Sequence, residues 1–501
     1  MTSDAGNRAC PVSRRLPSWR QAAVALLLAG QALRTPHLAA QSPSTPESAL
    51  ATTIDRVIAD PAFERGHWGI SIRSLATGAT LYEHDAGKLM MPASTLKLLT
   101  LAVAADRLGW EYSYDTSLWH SGTIIEGVLH GDLVVIGSGD PTLDDWDGKA
   151  TMQFADWAGR LKALGIRRVE GRVLGNDNAF DDLGYAPGWS WDDLAASYAA
   201  SVGGLQFNEN TAILTIRAGA AGAAPISVDP PFAPVEIRNH LGTTSPAPGP
   251  VQVLSTGSAL EVNGSPGPWP QARRVAVANP TLYFTRAFRS RLLAEGIDVS
   301  GPAEDVDELS TPIDGLLTHV TTSSSPPLRE FSQTRMKMSQ NLFAESLVKT
   351  LGIRSAAQGA TAAGVAAIRE TALAWGVAAD ELAIVDGSGL SRYNLMTARA
   401  MTTVLAHVTS DDRLKDAFMR SLPVAGLDGT LQGRMRGTRA AGLVRAKTGS
   451  FGNARALSGV VETLDRETLV FTIVANNYNT SPAAIDAATD AIVVALADFR
   501  R

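Results

Sequence analysis

Apolar residues recur at helical spacing in "ALATTIDRVIAD" (49–60), which predicts a first amphipathic helix. The next stretch, "HWGISIRSLATGATLYEHDAG" (67–87), alternates apolar and polar positions around "ATG", a hairpin signal. Helical periodicity follows from "MMPASTLKLLT" (90–100) through "LAVAADRLGW" (101–110). From about 113 to 300 the texture changes to short strand-like pieces such as "DLVVIGSG", "RRVEGRVLGN", "TAILTIRAG" and "VEIRNH", divided by Gly, Pro and Asn clusters. One helix, "PTLYFTRAFRSRLLAEG" (280–296), closes that region. Helical spacing returns in "PLREFSQTRMKMSQNLFAESLVKTLG" (327–352) and "TAAGVAAIRETALAWGV" (361–377). Residues 443–478 read as three strands, two joined by "DRE", before a packed terminal helix around 481–499. The pattern is a mixed α/β (α+β) body at both ends of the chain, bracketing a β-rich middle.

Within this pattern Lys97 is out of place. It interrupts an apolar run three residues after Ser94, and residues three apart share a helix face. If that face is buried, the ammonium loses hydration and its pKa falls, and a neutral amine can activate a serine. A helix whose lysine reaches water would read the same. A second S-x-x-K, Ser346 and Lys349 in "SLVK", shows how weak the motif is alone. That pair reads as ordinary helix surface.

The charge balance narrows the partners. Residues 1–40 carry +4 and the remainder −10, which argues against nucleic acid. The basic start, the apolar run "AAVALLLAG" (22–30) and the small residues Ala39 and Ala40 read as a secretory signal peptide, residues 1–40. Export by the general secretory route is expected, and Arg14-Arg15 would also suit the twin-arginine route. The run is too short to span a membrane, so no stable membrane insertion is expected after cleavage. Cys10, the sole cysteine, would leave with the signal, so neither a disulfide nor a cysteine metal site is expected. The eight histidines are scattered without a ligand spacing, so neither metal nor cofactor is implied.

Two further motifs stand with Ser94-x-x-Lys97. "MSQNL" supplies Ser339-Gln340-Asn341, and "RAKTGSF" supplies Lys447-Thr448-Gly449. With only eight lysines, a chance K-T-G is expected about 0.05 times. S-x-x-K, S-x-N and K-T-G in this order form the active-site set of penicillin-interacting serine enzymes. Ser94 and Ser339 lie 245 residues apart yet must share one site, so the β-rich middle reads as an insertion.

That layout resembles the D-alanyl-D-alanine carboxypeptidases/endopeptidases of peptidase family S13, the penicillin-binding protein 4 or DacB type. "GSGDPTL" (137–143), "APGWSWDD" (186–193), "SPPLRE" (325–330), "DGSGLSRYN" (386–394) and "LPVAGLDGTL" (422–431) add to it. The resemblance implies a β-lactamase/transpeptidase-like domain, an antiparallel sheet between helices, formed by residues 41–112 and 305–501. Two nested β-rich domains would fill 113–304, the outer about 113–175 with 270–304 and the inner 176–269.

The resemblance also implies roles. Ser94 would be the nucleophile, Lys97 its base, and Ser339 the relay to the departing amine. Asn341 would hold the substrate amide, and Lys447 with Thr448 the terminal carboxylate. Gly449 completes the motif, and the backbone N–H groups of Ser94 and Ser450 would form the oxyanion hole. A charged Lys447 would help to depress the Lys97 pKa. The implied substrates are D-Ala-D-Ala-terminated stem peptides of peptidoglycan, with β-lactams as acylating inhibitors and a periplasmic or other extracytoplasmic location.

Bland readings stand beside these. Ser94, Ser339 and Asn341 could be helix caps, and Lys447 an exposed strand lysine. Trp189 and Trp191 with Asp192 and Asp193 read as a packed turn rather than a substrate groove. Asp181 and Asp182 are a speculative contact for a peptide amino group. Two alternative functions remain: a serine β-lactamase, for which no separate deacylation base is evident, and a non-catalytic peptidoglycan-binding protein.

Overall fold

The computed structural model describes residues 45–144, 148–217, 224–242, 249–311, 313, 315–353 and 358–501. The expected signal peptide lies outside these residues. Among them, no helix is long and apolar enough to cross a membrane. Residues 45–501 form one compact unit.

Its centre is a five-stranded antiparallel sheet in the spatial order Thr80–His84, His67–Ser74, Thr468–Asn476, Ala454–Glu462 and Val444–Phe451. The first two strands are the hairpin around "ATG", and the last three come from the C-terminal part of the chain. The two ends of the sequence therefore close one sheet. Side chains alternate between its faces. Leu457, Val461, Leu469, Phe471 and Ile473 pack with residues of the helices Pro46–Ile58 and Pro482–Asp498. Val460 and Val470 face the opposite way, onto a cluster built from the helices Leu96–Leu108, Leu328–Lys337, Asn341–Ile353, Thr361–Ala374 and Ala398–Ser410. Lys447 pairs in register with Ser458, two residues before Val460, so it belongs to this second face.

The middle of the chain builds separate sheets. Ala303–Asp305, Val173–Asn176, Leu133–Gly137, Asp115–His120 and Thr318–Ser324 form one of five strands. The helices Lys149–Ala163 and Pro280–Ala294 pack on it through Phe154, Trp157, Phe284 and Phe288. Two three-stranded sheets between residues 211 and 276 enclose a smaller core around Leu214, Leu260 and Val262. Because Thr318–Ser324 pairs with Asp115–His120, the chain leaves these sheets at Ser324, beyond residue 304, where the resemblance placed the end of the insertion.

The continuous helical spacing over 327–352 is broken into two helices, Leu328–Lys337 and Asn341–Ile353. Ser339 sits at the break with φ +60°, a left-handed conformation that ends one helix and redirects the next.

Candidate active site

Ser94 lies on a single 3₁₀ turn, Ala93–Thr95, which runs directly into the helix Leu96–Leu108. It is not the helix cap, so its hydroxyl is free for other work. The approach is tight. Ala93 has φ +46°, and Gly389, at φ +82°, lies so close that a Cβ there would fall 1.9 Å from the Ala93 carbonyl oxygen. Only glycine fits that contact.

Lys97 follows one turn later and is completely buried. Its Nζ lies 2.8 Å from Ser94 Oγ, 2.6 Å from Asn341 Oδ1 and 2.8 Å from the Ser388 carbonyl oxygen. The Asn341 Nδ2 donates to the Tyr198 carbonyl at 2.6 Å, which fixes which end of that amide faces the lysine. Burial lowers the Lys97 pKa to about 7, against the opposing pull of the Glu345 and Asp386 carboxylates. A neutral amine has two hydrogens and one lone pair. Asn341 Oδ1 and the Ser388 carbonyl can only accept, so they take the hydrogens. The lone pair is left for the Ser94 hydroxyl. Proton transfer from Ser94 to Lys97 is the chemistry this geometry permits.

Lys447, also completely buried, extends from the strand Val444–Phe451. Its Nζ donates to Ser339 Oγ at 2.7 Å and to the Thr448 carbonyl at 2.9 Å. Burial pushes its pKa down, and nearby Lys97 pushes it further. This revises the expectation that a charged Lys447 depresses Lys97. Both lysines are held down first by desolvation, and Lys447 bonds only neutral oxygens of the protein. A carboxylate brought to it would favour its charged form.

The three motifs are thus joined by hydrogen bonds. Asn341 meets Lys97, Ser339 meets Lys447, and Gly449 lets its strand close on Ser94. An added Cβ at Gly449 would lie 2.8 Å from the Pro92 carbonyl oxygen. Ser450, next in the strand, is exposed, and the Thr448 hydroxyl donates to Thr430 Oγ1 at 2.8 Å.

Several supporting residues escaped the sequence reading. Glu345, buried one turn after Asn341, accepts from the Ser388 and Gly387 N–H groups at 2.7 and 3.2 Å. Asp386 is completely buried and accepts from Gly389 N–H, Ser391 N–H, Asn394 Nδ2 and Trp189 Nε1. A carboxylate inside an apolar helical run, as in "NLFAESL", is the same irregularity that exposed Lys97, and it was the available signal for Glu345.

Two readings need correction. Ser346 and Lys349 are not helix surface, since both are buried. Lys349 Nζ donates to Asp181 Oδ1 at 2.6 Å and to the Asp181 carbonyl, and it lies over the Phe180 ring. Asp181 is therefore engaged by the protein's own lysine and is not left for a peptide amino group. Of the two tryptophans, Trp189 bonds Asp386 as a packed residue would, while Trp191 is exposed.

A five-stranded antiparallel sheet between helices, with these three motifs meeting at its edge strand, is the arrangement of the penicillin-interacting serine hydrolases. Comparison with known proteins narrows this class. The D-Ala-D-Ala carboxypeptidase 3 (S13) family matches residues 50–499, so the chain belongs to that family and is a hydrolase of its class. It is 33% identical over 469 residues to a D-alanyl-D-alanine carboxypeptidase of Actinomadura sp., covering 90% of this chain and 85% of that one. It is 25% identical over 429 residues to the D-alanyl-D-alanine carboxypeptidase DacB of Haemophilus influenzae, covering 83% and 87%. The crystal structure of penicillin binding protein 4 (dacB) from Haemophilus influenzae superimposes with a TM-score of 0.74 at 24% identity, covering 89% of this chain and 97% of that one. The family and fold read from the motifs are borne out.

Proposed function

We propose that this protein removes the terminal D-alanine from D-Ala-D-Ala stem peptides of peptidoglycan through an acyl-enzyme on Ser94. The observation that carries the reading is the buried Lys97 Nζ, 2.8 Å from Ser94 Oγ. Asn341 Oδ1 and the Ser388 carbonyl are its two other partners, which leaves the lone pair of the neutral amine for the Ser94 hydroxyl. Ser94 Oγ attacks the carbonyl of the penultimate D-alanine while its proton passes to Lys97. The developing oxyanion is held by the backbone N–H groups of Ser94 and Ser450. Ser339, bonded to Lys447, relays a proton to the leaving D-alanine amine and receives in its place the proton that Lys97 took from Ser94, while Asn341 holds the peptide amide. Lys447 with Thr448 binds the terminal carboxylate, whose negative charge favours the protonated form of Lys447. Water then hydrolyses the ester and frees Ser94. A β-lactam would enter the same sequence and stop at the acyl-enzyme. This substrate lies outside the cytoplasm, in keeping with an exported protein. In domain terms, we read residues 45–112 and 325–501 as the catalytic body and the sheets between them as its insertion.

The test is incubation of wild type and Ser94→Ala with a fluorescent penicillin and, separately, with a D-Ala-D-Ala pentapeptide. Persistent label on wild type alone, with D-alanine released, is expected. Rapid loss of label would instead mark a β-lactamase. Absence of both label and D-alanine would favour a binding protein.

A further inference from the structure

The helix Asn341–Ile353 supports Lys97 twice. Asn341 touches it, and Glu345, four residues on and so on the same face, reaches the loop that touches it from the other side. We propose that Glu345 is a positioning residue for the acylation step, holding the Gly387–Ser388 peptides so that the Ser388 carbonyl captures one Lys97 hydrogen. The inference rests on the Ser94 acyl-enzyme reading and adds a residue to it.

The chain of contacts is short. One Glu345 oxygen accepts from Ser388 N–H at 2.7 Å, and both oxygens lie 3.2 Å from Gly387 N. The Gly387 carbonyl is held in turn by the Thr100 hydroxyl at 2.7 Å, on the helix that bears Lys97. Ser388 then presents its carbonyl to Lys97 Nζ at 2.8 Å. If that carbonyl turned away, the amine would rotate and its lone pair would leave the Ser94 hydroxyl. No side chain fits at Gly387, because a Cβ there would fall 2.2 Å from Val348 Cγ2.

A structural account would make Glu345 a buried cap for a tight loop. Asp386 already does that work for the same loop through Gly389, Ser391 and Asn394. Glu345 differs in bonding the N–H of Ser388, the residue whose carbonyl meets the base, while Asp386 takes the Gly389 N–H beyond that carbonyl. It also supplies charge. The carboxylates facing Lys97 are Glu345 and Asp386, both of which favour the ammonium, while Lys447 is the neighbouring amine whose own charge Lys97 disfavours. Burial and Asp386 raise the Glu345 pKa to about 7 against the Ser388 and Gly387 N–H bonds, so Glu345 is part-ionised where Lys97 titrates and its anionic fraction favours the Lys97 proton.

Penicillin acylation rates across pH for wild type, Glu345→Gln and Glu345→Asp, with thermal unfolding of each, test the proposal. Glu345→Gln should acylate about tenfold to hundredfold more slowly, the scale of a small misplacement of reacting groups. Its acid limb should move to lower pH, because Lys97 has lost an anion that favoured its proton. Glu345→Asp should return the limb to the wild-type position while remaining slower. A Glu345→Gln rate equal to wild type, or a slower rate with an unmoved limb, overturns the proposal. Should Glu345→Gln fail to fold, a wild-type rate for Glu345→Asp overturns it equally. Failure of the underlying reading is separate, since wild type would then take no label.

Discussion

Gly449 lies against the amide of Ser94: a Cβ added at Gly449 would sit 3.1 Å from the Ser94 nitrogen. The same atom would crowd the Pro92 carbonyl and the Ala93 methyl. Neither backbone can yield without moving the edge strand away from the turn that carries Ser94. Gly449→Ala should therefore cost about 1–3 kcal/mol of stability by overpacking. It should also lower the penicillin acylation rate about a hundredfold, since the strand carries Lys447 and the proposed Ser450 donor. Thermal unfolding beside the acylation rate checks both. A stable variant with undiminished acylation would show that the close approach is not required.

The pH dependence follows from Lys97. As the proposed base it acts only when neutral, so the acylation rate should rise as pH increases through about 7 and fall in acid. Stability follows the same group. Its folded pKa of about 7 lies below its ordinary 10.5, so between these values the unfolded chain holds a proton that the folded chain lacks. Folding stability from this group must then increase as pH rises through that window. Lys97→Met should abolish acylation and flatten the slope, as measured by urea unfolding at pH about 7 and about 9. A variant with the wild-type slope would place the titration elsewhere.

Two of the three proposed active-site motifs were legible because they are locally improbable. Lys97 is a charge in an apolar run, and K-T-G is rare in a chain with eight lysines. The hairpin and the C-terminal strands were legible from alternation. Glu345 and Asp386 were not, because what they satisfy are backbone N–H groups of a loop that no periodicity marks. The break at Ser339 was hidden too, since helical spacing runs through it and only the positive φ reveals the turn. Lys349 misled for a related reason: its partner Asp181 is 168 residues distant in sequence.

The Lys349–Asp181 pair should be structural. Lys349 is buried, whereas the Asp181 side chain is 23% exposed, so water can partly resolvate the carboxylate when the lysine is removed. Lys349→Met should cost about 2–3 kcal/mol, less than the loss expected for breaking a fully buried pair. The acylation rate per folded molecule should stay at the wild-type value. Loss of acylation in a folded Lys349→Met protein would mean that the second S-x-x-K shares in the chemistry.

Asn341 offers a mirror-image test of the base. Its Oδ1 accepts from Lys97 at 2.6 Å, and its Nδ2 donates to the Tyr198 carbonyl at 2.6 Å. Asn341→Asp keeps the shape but places an anion beside the lysine and turns a donor into an acceptor facing Tyr198. An opposite charge this near raises a lysine pKa by about 1–3 units, so from a pKa of about 7 the neutral fraction at pH 7 falls about 5- to 500-fold. Acylation should drop by a similar factor and recover in part as the pH is raised, with the acid limb displaced upward. Glu345→Gln should displace it downward. Opposite displacements from two residues of one helix would be hard to obtain from general loosening of the site. An Asn341→Asp protein whose loss is the same at every pH would show that Asn341 serves substrate binding and does not tune the base.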